Sequence, residues 1–100
     1  MTLVGSGGLL IRGFDRKATF DKTLKRHPEL HEQVKVALNA LKQDPRPKWI
    51  RFEKLSQYRN PAIYSIHVTK NHSHKITFEV EGDIAILRKL ATHKEIDRNP

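Results

Sequence analysis

One hundred residues with 19 Lys+Arg against 11 Asp+Glu carry a formal net charge of +8. That length supports one domain around one core. With no cysteine, a disulfide framework and a thiolate metal site are excluded. No apolar run approaches the ~18 residues of a membrane span, and residues 1–8 lack the basic-then-apolar pattern of a secretory signal. A cytoplasmic protein with no membrane contact is expected. A basic domain of this size attracts polyanions, because each phosphate contact releases counterions. Nucleic acid or a nucleoprotein particle is thus the partner class that charge favours, against the plainer reading of a basic solvated surface.

Residues 1–8 include Gly5-Ser6-Gly7-Gly8, a flexible linker composition. We treat this start, native or a cloning remnant, as outside the fold and take 9–100 as a single domain. Leu9-Leu10-Ile11 opens a short strand that ends near Phe14. Asp15 or Thr19 can cap the next element by accepting a free helix N–H. Phe20 and Leu24 then share a face of a first helix over residues 18–26. Pro28 starts a second, where its missing N–H costs little. Leu30, Val34, Ala37, Leu38 and Leu41 form the apolar stripe of an amphipathic helix over 28–43. His27 and His31 at its beginning read as a cap and a solvated side chain. Asp44-Pro45-Arg46-Pro47 stops the helix.

Residues 49–55 read as an edge strand. Lys48, Arg51 and Lys54 lie beside Trp49 and Phe52, and interleaved cations and aromatics can bind phosphates and stack bases. The alternative is that the rings pack in the core. Residues 57–61 read as a loop. From Ala62 to His93 the pattern is an antiparallel meander. Tyr64, Ile66 and Val68 alternate with Ser65, His67 and Thr69; Ile76, Phe78 and Val80 alternate with Lys75, Thr77, Glu79 and Glu81. Period two marks half-buried strands. Asn71–His74 and Glu81-Gly82-Asp83 are the turns, Gly82 supplying the positive φ of a tight hairpin. Residues 84–91 are nearly continuously apolar, as in a central strand, and the polar tail 92–100 is expected to be frayed.

The order β-α-α-β-β-β-β predicts an α+β domain: two N-terminal helices packed on one face of a mainly antiparallel sheet. The helices cover Ile66, Ile76 and Phe78. The other face is expected to stay open, presenting His67 and Lys75, with His93 following the last strand. His67, His72 and His74 lie within a short stretch, but catalytic zinc needs three ordered protein ligands, and two of these sit in a turn. Contact with RNA, or solvation, explains them better, so neither a metal nor another cofactor is expected.

Several pieces carry a resemblance: Phe20-Asp21-Lys22-Thr23-Leu24, Ala40-Leu41-Lys42-Gln43-Asp44-Pro45, Glu53-Lys54-Leu55, Ile63-Tyr64-Ser65-Ile66-His67, the run from Lys75 to Asp83, and Thr92-His93-Lys94-Glu95-Ile96. In order and spacing they resemble the RelE/ParE toxin superfamily of bacterial type II toxin–antitoxin systems, over nearly the whole of 9–97. The motifs are most similar to its RNA-cleaving RelE/YafQ/YoeB-like branch. The resemblance implies a microbial-ribonuclease-like fold, a cognate antitoxin, and cleavage of messenger RNA on the ribosome. It places the late histidine at His93, a meander histidine at His67, a basic strand residue at Lys75 and a carboxylate at Glu53. Lys75 substitutes a point charge for the forked guanidinium of the YoeB type. Ile96 and Asp97 stand where an aromatic residue often follows the late histidine.

RNA carries its own nucleophile. Its 2′-hydroxyl attacks the adjacent phosphorus once a base takes the proton, an acid protonates the departing 5′ oxygen, and cations stabilise the phosphorane. The expected assignment is His93 as acid, His67 or Glu53 as base and Lys75 on the phosphate. Arg51, Lys54, Arg88 and His72 are expected RNA contacts. The rival readings are a ParE-like inhibitor of DNA gyrase without nuclease chemistry, and a basic RNA- or ribosome-binding domain that has lost it.

Overall fold

The computed structural model describes residues 9–59, 61–69 and 73–100. Residues 1–8, expected to lie outside the fold, are therefore not among the described residues, and neither is His72. A five-stranded sheet has the order β1-β5-β4-β3-β2, built from β1 (Gly13–Arg16), β2 (Glu53–Arg59), β3 (Ala62–His67), β4 (His74–Glu81) and β5 (Ile84–Thr92). Strand β1 runs parallel to β5, and the other pairings are antiparallel. Helices α1 (Ala18–Arg26) and α2 (His31–Leu41) precede the meander. The α+β architecture and element order read from the sequence are those observed.

Local chemistry accounts for the shifted boundaries. The strand expected over 9–14 begins at Gly13, because pairing starts where Gly13 meets Ile84. Arg12 and Gly13 both donate to the Asp83 carbonyl. A Cβ at Gly13 would lie 2.9 Å from the Ile84 Cδ1, so a glycine suits this approach. Ile11 fills the core as a buried residue outside any strand. Neither Asp15 nor Thr19 caps α1: the N-cap is Lys17, with no side-chain bond. Thr19 instead donates its hydroxyl to the Arg88 carbonyl at 2.7 Å, tying α1 to β5. His31 does serve a helix end, its Nε2 lying 2.8 Å from the Leu24 carbonyl of α1.

The second helix opens as a 3₁₀ turn, Pro28–Leu30, before α2. It closes as Lys42 and Gln43 turn tightly back to the Asn39 and Ala40 carbonyls. Arg46 then takes over, its Nε donating to the Leu41 carbonyl at 2.9 Å and its guanidinium stacking 4.5 Å from the Phe52 ring centroid. A second 3₁₀ turn, Lys48–Ile50, replaces the start of the edge strand expected at 49–55. Arg51 ends it with φ +48°, a left-handed conformation that no extended strand contains. The edge strand therefore runs as β2 through Arg59, across the expected loop, with a register shift between Lys54 and Arg59.

The main core lies between the helices and one sheet face. Phe20 of α1 and Val34, Ala37 and Leu41 of α2 pack with Ile66, Ile76, Phe78 and Leu87. The opposite face is not open, contrary to expectation. Ser65 and Thr77 are 0% exposed, Lys75 5% and His67 7%. The tail expected to fray forms helix α3 (His93–Arg98), begun by a capping box in which Thr92 and Glu95 bond each other's backbone. Its Ile96 is buried, and the Pro100 carbonyl accepts the Thr77 hydroxyl at 2.9 Å. The signal was in the sequence: Thr92 and Glu95 at capping-box spacing, followed by an apolar residue.

At the other end of the sheet, Glu79 accepts from Lys17 at 3.0 Å and from Arg88. Burial raises the Glu79 carboxyl, but hydrogen bonds and charge from Lys17 and Arg88 outweigh it and hold the group below the ordinary carboxylate range. A carboxyl lowered on folding contributes stability above its unfolded pKa, about 4.3, and loses it as pH falls through the folded value. Glu79→Gln should therefore lower the urea midpoint at pH 7 and reduce the further loss below about pH 4.5. Identical pH slopes for the two proteins, from urea titrations between pH 7 and 3, would refute this role.

Candidate functional site

His67 and Lys75 face each other across the β3–β4 ladder. Directly opposite residues put their side chains on the same face, so the sheet register alone brings imidazole and ammonium together. His93 arrives from the third side. It opens α3 where β5 ends, and its N–H donates to the Ser73 carbonyl at 3.2 Å. The His67 and His93 rings meet edge to face, with centroids 5.6 Å apart and planes at 78°. These three side chains line one open cleft of about 740 Å³ with Lys48, Arg51, Phe52, Glu53 and Asp97.

Asp97 links the set. Its Oδ2 is 3.1 Å from His93 Nδ1, one helical turn away, and its Oδ1 is 3.7 Å from Lys75 Nζ. The Lys75 side chain is 6% exposed and that of Asp97 59%, so a nearly buried ammonium faces a carboxylate that water still reaches. In a neutral His93 the bond to Asp97 requires the proton on Nδ1, which leaves Nε2 as the acceptor. Sequence reading did not single out Asp97 as functional. The i, i+4 spacing from His93 was the available signal, but it carries weight only once residues 93–98 are helical.

The other expected residues divide. Glu53 and Arg51 line the cleft with the histidines, Arg51 in the left-handed conformation that makes the turn into β2. A strained non-glycine residue of this kind is often found at functional sites. Lys54 lines a neighbouring concavity with Tyr58, Ile96 and Asp97. Arg88 does not line the cleft; it pairs with Glu79 at the bulged part of the β4–β5 ladder. His74 lines a different groove, its ring 6.2 Å from that of His27 and its Nδ1 2.9 Å from the Ser73 hydroxyl. Phe52 joins a cluster of three rings, stacked on Tyr64 at 5.7 Å and tilted against Phe78 at 6.1 Å. Its placement combines both sequence-level readings, since it packs on the core and also borders the cleft.

Chemically, the cleft offers two imidazoles in contact, a carboxylate that orients one of them, and fixed cations for an anion. Removing Asp97 leaves the buried Lys75 without its carboxylate. Breaking a fully buried pair costs roughly 3–5 kcal/mol, and the exposure of Asp97 reduces this, so Asp97→Asn should destabilise the fold by about 1–2 kcal/mol. Lys75→Met in the Asp97→Asn background should recover part of that loss, because it removes the charge together with its need for a partner. Equal urea midpoints for the single and double variants would show that the pair does not support this face.

No family profile matches the sequence, and no curated protein sequence does. Solved structures do match. YafQ from E. coli superposes with a TM-score of 0.68 at 14% identity, covering 85% of this chain and 97% of that one. A chain of the E. coli DinJ–YafQ toxin–antitoxin complex gives 0.67 at 14% identity, over 87% and 98%. A chain of the RelB–RelE antitoxin–toxin complex from Methanococcus jannaschii gives 0.58 at 28% identity, over 86% and 99%. The fold is that of the YafQ and RelE toxins of the RelE/ParE superfamily, as the sequence resemblance implied.

Proposed function

We propose that this chain is the toxin of a toxin–antitoxin system and an endoribonuclease that cleaves messenger RNA, in the ribosome, at the His67–Lys75–His93 cleft. The observation that carries the reading is the meeting of the two imidazoles, 5.6 Å apart between centroids, beside a nearly buried ammonium. The fold shared with YafQ and RelE supports it. The matched complexes with DinJ and RelB support a protein antitoxin as partner. An acidic segment of such a partner suits the Lys48, Arg51 and Lys75 side of the cleft.

Each group has a task in this mechanism. His67, or Glu53 across the cleft, takes the proton of the RNA 2′-hydroxyl as that oxygen bonds to phosphorus. His93, held by Asp97, gives a proton to the departing 5′ oxygen. The contact with Asp97 holds the ring so that its other nitrogen, Nε2, can face the departing oxygen. Lys75 faces the pentacoordinate phosphorane with a charge fixed by burial, so little reorganisation accompanies charge development. Arg51 and Lys48 hold flanking phosphates. The nucleophile is part of the substrate, and the two proton transfers and the fixed cations complete the chemistry.

General acid catalysis contributes about 10²–10⁴-fold, so His93→Ala should lower cleavage by that factor while leaving the fold intact, as His93 is exposed. Primer extension on messages from cells briefly expressing the chain reads this directly. Discrete cuts within translated regions, absent with His93→Ala, are the expected result. Full toxicity of the His93→Ala protein would sink the assignment, and growth arrest with intact messages and inhibited supercoiling by purified gyrase would replace it with the ParE-like activity.

A further inference from the structure

We infer that the groove between α1 and α3 is a second RNA-binding surface, which holds the phosphate backbone of a strand outside the cleft. The inference deepens the proposed function, since it rests on RNA as the ligand, but it concerns a different part of the molecule. The groove encloses about 620 Å³, and its walls carry Lys22, Arg26, Lys89, Arg98, His27 and His74.

Helix geometry separates the two sites. Thr92, Glu95, Arg98 and Asn99 border the groove, whereas His93 and Asp97 border the cleft. At 3.6 residues per turn these two sets point to opposite sides of α3. The helix is therefore a ridge with a basic concavity on each flank. On the far wall, Thr19, Lys22, Thr23 and Arg26 recur at i, i+3, i+4 and i+7. They form one stripe of α1, beside the face that buries Phe20.

The charge in the groove is not spent internally. Among the described residues no carboxylate forms an ion pair with Lys22, Arg26 or Arg98. Lys89 donates to the Asn99 carbonyl at 2.8 Å, which leaves its charge uncompensated. The acid that borders the groove, Glu95, is engaged by the Thr92 hydroxyl at 2.9 Å and the Thr92 N–H at 3.2 Å. Nearby Glu29 is held by His27 at 3.0 Å. Arg and Lys side chains with adjacent imidazoles, over a floor that includes Leu90 and Ala91, suit a chain of phosphates. A strand leaving the cleft meets this groove after crossing one helix, about 10 Å wide. That continuity favours RNA over an isolated anion, and over an acidic protein segment that occupies one concavity.

The test reads binding apart from cleavage, using a fluorescent 2′-O-methyl oligoribonucleotide, which lacks the nucleophile. Anisotropy titrations over a range of salt compare the wild type, the triple variant Lys22→Ala/Arg26→Ala/Arg98→Ala, and a control, Lys35→Ala/Lys42→Ala/Arg59→Ala, that removes the same charge from exposed positions elsewhere. Loss of three phosphate contacts should flatten the slope of log K against log salt by about 2, at ~0.7 per contact. Affinity near 0.1 M salt should fall about tenfold or more, while the control shifts the slope by well under one unit. An unchanged slope in the groove variant overturns the inference, as does an equal change in both variants, which would assign binding to net charge. Loss of binding to an acidic polypeptide with RNA affinity intact would also overturn it, in favour of a protein partner. Circular dichroism of each variant checks that the exposed substitutions leave the fold unchanged. If the chain cuts no RNA yet shows the predicted slopes, the nuclease reading fails and the groove stands.

Discussion

The seating of residues 93–100 on the polar face of the sheet is the constraint on which the rest depends. Strands β3 and β4 place Ser65, His67, Lys75 and Thr77 on that face, and uncovered they would be ordinary solvated side chains. Covered, they need partners, because a buried polar group without one costs more than burial returns. For two of the four the chain end supplies them, the Pro100 carbonyl for Thr77 and Asp97 for Lys75, with Ile96 as the apolar weight of the cover, while the buried Ser65 hydroxyl is left without a partner among the described residues. A six-residue helix has too few internal bonds to hold itself. α3 persists through its capping box and through the sheet beneath it, so helix and site are formed by one set of contacts.

The same short helix arranges charge on both of its flanks. His93 and Asp97 point into the cleft, and Arg98 borders the basic groove. Acidic side chains are few on this protein, and several are committed to local tasks: Glu95 to the helix cap, Glu79 to Lys17 and Arg88, and Asp97 to Lys75 and His93. The net charge of +8 is thus unevenly distributed. Cations outnumber acids most along the groove, where Lys22, Arg26, Lys89 and Arg98 face the single carboxylate of Glu95.

What was legible in the sequence is what local periodicity encodes. The meander, the bounds of α1, the central position of β5 and the tight turn at Gly82 all follow from patterns a few residues long. The meeting of His67 with Lys75 was legible for the same reason, since strand register fixes which residues share a face. The arrival of His93 beside them needed the family resemblance, because a tertiary contact decides it. Among the features that escaped, three share a cause in what alternation and composition leave out. Period two reports which way a side chain points, not whether something lies over it, so the covered face read as an open one. Residue composition hid α3, although Thr92 and Glu95 carried its cap. The facing of Arg88 depends on a bulge between Thr77 and Phe78, and a one-residue register shift is invisible to alternation.

Asp97 also sets a limit on how the cleft can bind. Under the proposed function, a substrate phosphate approaching Lys75 would meet a carboxylate already 3.7 Å from that ammonium. Two anions then compete for one cation, and the attraction of the phosphate for Lys75 is offset by its repulsion from Asp97. His93 protonation relieves this, because the imidazolium 3.1 Å from Asp97 neutralises it. On the proposed mechanism, the form of the cleft that would donate a proton is also the form that would best accept a phosphate. In the neutral-ring form little net positive charge remains around Lys75, and affinity for the strand must come from cations with no such internal partner. Arg51 and Lys48 at the cleft edge, and the α1–α3 groove beyond the ridge, are the places where this fold keeps them. The proposed function thus assigns chemistry and grip to different charges: those that would react are balanced within the protein, and those that would hold the strand are left unbalanced.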